Sequence, residues 1–261
     1  MTMEFVGKVV VVTGGSSGIG FAIAHAFALR GAQTALISSS EAKLSAAAER
    51  IVEGGSVRPL TIKADLRDLS SCERAYDRVS ESFGQCDVLV NSAGATRAGA
   101  FLTQSDAEWQ DGFALKFYSS VRLCRLFWPM LKKSQGVVIN IIGGAARVPD
   151  PEFLVGGAVN GAMANFTKGL AGLGKRDGVN VNAILPGPTE TDRLLSLFEQ
   201  RAVPIGSTAE EVKQAMAAKD GVRRLGRPED IAELAAFLAS TSARHIQGTS
   251  IAVDGGASPS V

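Results

Sequence analysis

The eight residues Thr13–Gly20, reading Thr-Gly-Gly-Ser-Ser-Gly-Ile-Gly, have the composition of a turn that holds phosphate. Gly14 permits a tight turn. Gly18 and Gly20 let backbone approach a pyrophosphate and let the next helix sit close against a sheet. Free N–H groups at the start of that helix then face the phosphates. The spacing is not GxGxxG, so the position of the turn, after an apolar strand and before a helix, carries the reading. Other chemistry is sparse. His25 and His245 are far apart, which argues against a histidine zinc site and against Ser-His-Asp hydrolysis. Cys72, Cys86 and Cys124 show neither CxxC nor metal spacing, so no metal is expected and a reduced, cytoplasmic setting is the simplest reading.

The elements that must position this turn are legible in the periodicity. Lys8–Thr13 is β-branched and reads as a buried strand, and Ile19–Arg30 reads as a helix stopped by Gly31. Further strands are expected over 34–38, 57–63, 87–91, 137–142, 179–185 and 249–253. Helices are expected over 41–52 and 156–173, and from two capping boxes, Ser70 with Glu73 and Ser105 with Glu108. The helix opened by Ser105 should run through Trp109 towards Leu131, with an interruption allowed for. Two more should start at Thr208 and at Pro228. Alternating strand and helix implies an α/β domain over 1–261, its parallel sheet covered on both faces. The long irregular stretch from Pro186 to Pro228 is read as a substrate lid over 187–227. Its Leu194, Leu195, Leu197 and Phe198 suggest a largely apolar small-molecule substrate. A net charge of +1 gives no electrostatic case for nucleic acid or an anionic membrane surface. No signal peptide or bilayer-spanning run is expected.

These motifs together resemble the short-chain dehydrogenase/reductase family over nearly the whole chain. Gly14, Ser16, Ser17, Gly18, Ile19 and Gly20 fall in that family's cofactor turn. Asp65 and Leu66 match its adenine-contacting pair. Asn91, Ala93 and Gly94 match the segment after its fourth strand, with Ser92 where a second Asn is usual. Pro186, Gly187, Thr189 and Thr191 match the turn that holds the nicotinamide carboxamide, and residues 226–240 and 253–256 match its C-terminal part. The resemblance implies a Rossmann-like, doubly wound parallel sheet of about seven strands that binds NAD(H) or NADP(H). Ser38 and Ser39 end the second strand, where a carboxylate would select ribose hydroxyls and a basic group a 2′-phosphate. With Lys43 one helical turn on, NADP(H) is favoured over NAD(H).

The same resemblance implies hydride transfer between nicotinamide C4 and a carbonyl carbon, with a Tyr-Lys pair, a Ser and an Asn managing the proton. Aligned on those motifs, Gly156 takes the Tyr position, Asn160 the Lys position, Gly143 the Ser position and Lys116 the Asn position. Lys116 is then the candidate to polarise the carbonyl or donate the proton, and Asn160 to bond the nicotinamide ribose. Tyr118, four residues before Arg122, and Asp150 and Glu152 are weaker substitutes, better explained by packing and loop solvation. Gly143, Gly144, Gly156 and Gly157 are expected to leave room beside the nicotinamide. Two readings follow: an oxidoreductase with a rearranged site, or an inactive dinucleotide-binding subunit that supports an active relative in a hetero-oligomer. A homo-oligomer, dimer or tetramer, is implied through residues 105–131 and 156–173.

Overall fold

The computed structural model describes residues 3–259. Seven strands form one sheet: β1 (Val9–Thr13), β2 (Gln33–Ser38), β3 (Leu60–Lys63), β4 (Val88–Asn91), β5 (Val137–Ile141), β6 (Asn180–Pro186) and β7 (Ser250–Val253). Their order is β3-β2-β1-β4-β5-β6-β7, and every pairing is parallel. The order reverses between β1 and β4. That reversal opens a crevice at the carboxyl ends of the strands, where doubly wound sheets bind ligands.

Each strand alternates its side chains between two cores. Val10 and Val12 join α1 (Gly18–Leu29) and α2 (Glu41–Glu53) through Ile23, Phe27, Leu44 and Ile51. Val11 faces the other way, towards Cys72 and Val79 of α3 (Leu69–Phe83). The same face buries Leu123, Phe127 and Leu131 of α5 (Ser119–Ser134). α6 (Leu154–Asp177) covers that face beside α5, and α9 (Pro228–Ala239) packs against α1 on the first face. Strands buried on both sides are continuous apolar runs, which is why the sequence reads so plainly here.

Several boundaries differ from expectation. The strand expected from Val57 starts only at Leu60, because Pro59 has no N–H to give a ladder. The helix expected from a Ser70/Glu73 box starts at Leu69 after Asp68, whose backbone already closes a turn onto Asp65. The boxes at Ser105 with Glu108, opening α4 (Asp106–Gly112), and at Thr208 with Glu211, opening α8 (Ala209–Lys219), both form. Between α4 and α5 lies one π-helical stretch, Phe113–Tyr118, which is the interruption. Wider π turns displace carbonyls from the usual ladder. Ser119 and Ser120, both buried, donate their hydroxyls to the carbonyls of Leu115 and Lys116.

The segment between β6 and α9 carries α7 (Asp192–Ala202) and α8 around a small core of Phe198, Ala217 and Leu225. Lys213 pairs with Glu190 at 3.2 Å, tying α8 back to the turn after β6. Phe198 is fully buried inside this unit, so it does not offer an apolar face to a substrate. The residues of this segment that line the cleft below are Thr191, Asp192 and Ser196, while Leu195 is exposed.

Candidate dinucleotide and active site

A cleft of about 730 Å³ runs along the carboxyl ends of β1, β4 and β5. Its floor at one end is the β1–α1 turn. Gly14 and Gly18 adopt positive φ, +66° and +53°, where an L side chain is strained. At Gly20 a Cβ would lie 2.3 Å from the Gly14 carbonyl oxygen, so only glycine lets α1 start this close to the turn. Thr13 braces the turn from inside: its Oγ1 accepts from the N–H groups of Ser92 and Ala93, 3.0 Å each. Ser16, Ser17, Gly18, Ile19 and Gly20 line the cleft, with Pro186 and Thr191 opposite. Thr191 caps α7 and brings its methyl against Gly18.

Beside this turn the Ser16 hydroxyl donates to Ser38 Oγ at 2.8 Å. Ser40 caps α2 directly behind, so the helix N-terminus points at the same place. Lys43 and Arg50 of α2 also line the cleft, and Arg50 lies over the Phe21 ring at 4.0 Å. Arg50 escaped the sequence reading, although it sits seven residues after Lys43 and therefore on the same helix face. A side slot of about 140 Å³ is walled by Gly14, Ser38, Ser39, Asp65, Leu66, Ala93, Gly94 and others. Arg67 closes it, pairing with Asp65 and Asp111.

The glycine cradle, a cationic and hydroxyl-rich end and a flat apolar slot fit a dinucleotide: pyrophosphate on the turn, adenosine towards Ser38 and Leu66. Bound there, a nicotinamide dinucleotide supplies or accepts hydride. Among the predicted contacts, Asn91 turns elsewhere. Its Nδ2 donates to Asn140 Oδ1 at 2.8 Å behind the sheet, and Asn140 in turn donates to Thr167. Thr189 folds its hydroxyl onto the Gly187 carbonyl, and Gly187 packs against Asp254.

At the other end, Gly143 follows β5 and lines the cleft, and Asn160 lies behind it. Asn160 is buried, and its Oδ1 accepts from the Gly143 N–H at 2.8 Å. Gly156 belongs to the first turn of α6. A Cβ built there would stand 2.0 Å from Phe153 Cε1. The room expected at Gly143 and Gly156 is therefore not open: the Asn160 amide abuts Gly143 and the Phe153 ring fills the place beside Gly156, whereas a Cβ on Gly144 or Gly157 would meet nothing nearer than 3.8 and 3.6 Å. Phe153 went unnoticed in the sequence, where its spacing of three residues from Gly156 was the available signal.

Lys116 leaves the π-helical stretch and enters the cleft. Its stem crosses Gly94, with Cδ 3.0 Å from where a Cβ would be, and the residue is half-buried. Burial pulls its ammonium down to about 8, and no carboxylate among the described residues pairs with it. Tyr118 is half exposed beneath Arg122, and Tyr76 stacks edge-on against Phe127 in the core. Asp150 accepts from the Glu152 N–H in an exposed turn. The structure thus brings Lys116, Gly143, Gly94 and Ser92 together and leaves both tyrosines out.

A family model described as enoyl-(acyl carrier protein) reductase matches residues 14–258. Oxidoreductase UcpA of Salmonella typhimurium is 34% identical over 256 residues, covering 97% of this chain and 95% of the relative. The 3-oxoacyl-[acyl-carrier-protein] reductase FabG of Escherichia coli is 31% identical over 255 residues, covering 97% and 98%. Among solved structures, L-sorbose reductase from Gluconobacter frateurii, complexed with NADPH and L-sorbose, superposes with a TM-score of 0.96 at 30% identity over 100% of both chains. A short chain dehydrogenase from Burkholderia cenocepacia J2315 in complex with NADP gives 0.86 at 30% identity, covering 97% and 99%. With matched family model, sheet order and glycine cradle in agreement, the chain belongs to the short-chain dehydrogenase/reductase family, whose members are NAD(P)-dependent oxidoreductases.

Proposed function

We propose that the chain is an NADP(H)-dependent reductase of carbonyl compounds whose family Asn, Ser, Tyr and Lys positions hold Lys116, Gly143, Gly156 and Asn160. The observation that carries this reading is the single cleft that joins the Ser16–Ser38 hydroxyl pair to Lys116 and Gly143. Ser38 and Ser39 place no carboxylate against a 2′-phosphate. The α2 N-terminus and Lys43 favour one, and both solved relatives above hold the phosphorylated cofactor. Asn160, with its Oδ1 committed to Gly143, keeps its Nδ2 as the group to offer a ribose hydroxyl. Residues 187–227 act as the lid, hinged by the turn after β6 and braced by Lys213–Glu190. Open space beside Gly161, Gly169 and Gly172 on α6 supports close helix contact in a homo-oligomer. The test is a fluorescence titration with NADPH and NADH, followed by turnover on a ketone and alcohol panel that includes ketoses and 3-oxoacyl thioesters. Failure to bind either cofactor discards the reading. Tight NADPH binding with no turnover on any substrate replaces it with the non-catalytic dinucleotide-binding subunit.

A further inference from the structure

The α6 wall of the cleft offers no proton donor. Phe153 fills the place of a side chain on Gly156, and the Asn160 carbonyl oxygen is held by the Gly143 N–H. The titratable side chains that line the cleft are Lys43, Arg50, Asp192 and Lys116. The first two belong to α2 at the phosphate end, and Asp192 opens α7 beside Gly18 and Thr191. Lys116 alone shares the substrate end with Ser92, Gly94, Ile142 and Gly143. We propose that Lys116 is the catalytic acid of a carbonyl reduction, delivering its proton from the α4–α5 side of the cleft instead of from α6.

This assignment rests on the reductase reading above. As the carbonyl carbon accepts hydride from the reduced dinucleotide, the C=O π pair moves to oxygen. An Nζ–H bond of Lys116 breaks, and the O–H bond of the alcohol forms. The neutral amine is reprotonated from water before the next turnover. Before transfer the ammonium also polarises the carbonyl, a role no other cation at that end can take.

The surroundings leave Lys116 free for this. On α4, Asp111 is taken by Arg67 and Glu108 by the Ser105 cap. Asp106 completes the charged groups of α4. On α5, Arg122 donates to the Arg67 carbonyl and Arg125 is exposed. Arg97, on the loop after β4, is exposed and acts on Asp111 and Glu108. On α6, Lys168 bonds the Gly248 carbonyl, and Lys175, Arg176 and Asp177 sit at the far end. Burial alone therefore shifts the ammonium, to about 8, so the acid form dominates at neutral pH and the base form above it. A group so poised favours reduction at pH 7 and serves alcohol oxidation only at alkaline pH.

The test combines kinetics with a measurement on the cofactor-free protein. Lysine-selective NMR of the full chain, with Lys116→Met supplying the assignment, should show the Lys116 ammonium titrating near 8. Lys116→Met should bind NADPH as the wild type does and lose about 10²–10⁴-fold in kcat for reduction. Lys116→Arg, which keeps the charge but is too weak an acid to give up a proton in this range, should remain folded, reduce as slowly as Lys116→Met and show no fall in reductive kcat above pH 8. Lys116 titrating at the ordinary lysine value near 10.4, or Lys116→Met turning over at the wild-type rate, overturns this proposal and leaves the reductase reading intact. A wild-type protein that reduces no carbonyl overturns both.

Discussion

The Phe153 ring stands where a side chain on Gly156 would begin, with Cε1 2.0 Å and Cζ 2.1 Å from an ideal Cβ. The two residues thus specify each other: the aromatic ring can lie against the first turn of α6 only because position 156 has no side chain. A glycine early in a helix normally gains about 0.5–1 kcal/mol on replacement by alanine. Here overpacking of about 1–3 kcal/mol opposes that gain. Gly156→Ala is therefore expected to destabilise the wild type and to stabilise Phe153→Ala. A double-mutant cycle by urea denaturation reads the change of sign directly.

The Asn160–Gly143 pair is the second joint of the site. Asn160→Ala removes the acceptor for the Gly143 N–H and should cost about 1–3 kcal/mol. Hydrogen exchange at the Gly143 amide should accelerate locally by more than the loss in global stability accounts for. A Cβ on Gly143 would approach Asn160 Nδ2 to 3.0 Å, so Gly143→Ala should be better tolerated in the Asn160→Ala background than alone.

These two pairs mark where sequence reading stopped. The cofactor end was legible because its devices are local: a glycine turn between a buried strand and a helix, and two serines at a strand end. The parallel sheet covered on both faces followed from the alternation of strand and helix. Asn160 acts through a contact that spans the turn from β5 to α6 and Phe153 through a ring folded onto the first turn of α6, and periodicity carries no information about which ring fills which gap. Reading Gly156 as vacated space treated a glycine as an absence, whereas its neighbour had moved in. Asn91 shows a related limit: its residue type does not tell that its side chain bonds Asn140 and Cys124. In segment 187–227, likewise, apolar type alone does not tell that Phe198 packs with Ala217 and Leu225.

Lys116 leaves a signature on stability. Its folded-state pKa, about 8, lies below the unfolded value near 10.4. Between those values the unfolded chain binds more protons, so this group makes stability rise with pH across that window. Below pH 8 both states are protonated and the buried ammonium is a constant cost. Lys116→Met should therefore raise stability at pH 7 by up to about 2 kcal/mol, and the gain should shrink from about pH 8 and vanish only above the unfolded value near 10.4. Urea midpoints of both proteins at pH 7, 9 and 10 test this. A gain that grew with pH would contradict the burial of the ammonium.

Cofactor choice rests on the hydroxyl of Ser38. It accepts from Ser16 and lies two residues before Ser40, the N-cap of α2, so a 2′-phosphate placed there meets hydroxyls, a helix dipole and the Lys43 ammonium. A carboxylate at this position repels that phosphate and accepts from the ribose hydroxyls instead. Ser38→Asp is expected to weaken NADPH by about 10–100-fold, the worth of a hydrogen bond to a charged group, and to leave NADH unchanged or tighter. Lys43→Ala should weaken NADPH by a smaller factor that shrinks further as salt rises, because its ammonium acts across solvent. Parallel fluorescence titrations at low and high salt separate the two contributions. Equal losses of NADPH and NADH in Ser38→Asp would move the 2′-phosphate away from this strand end.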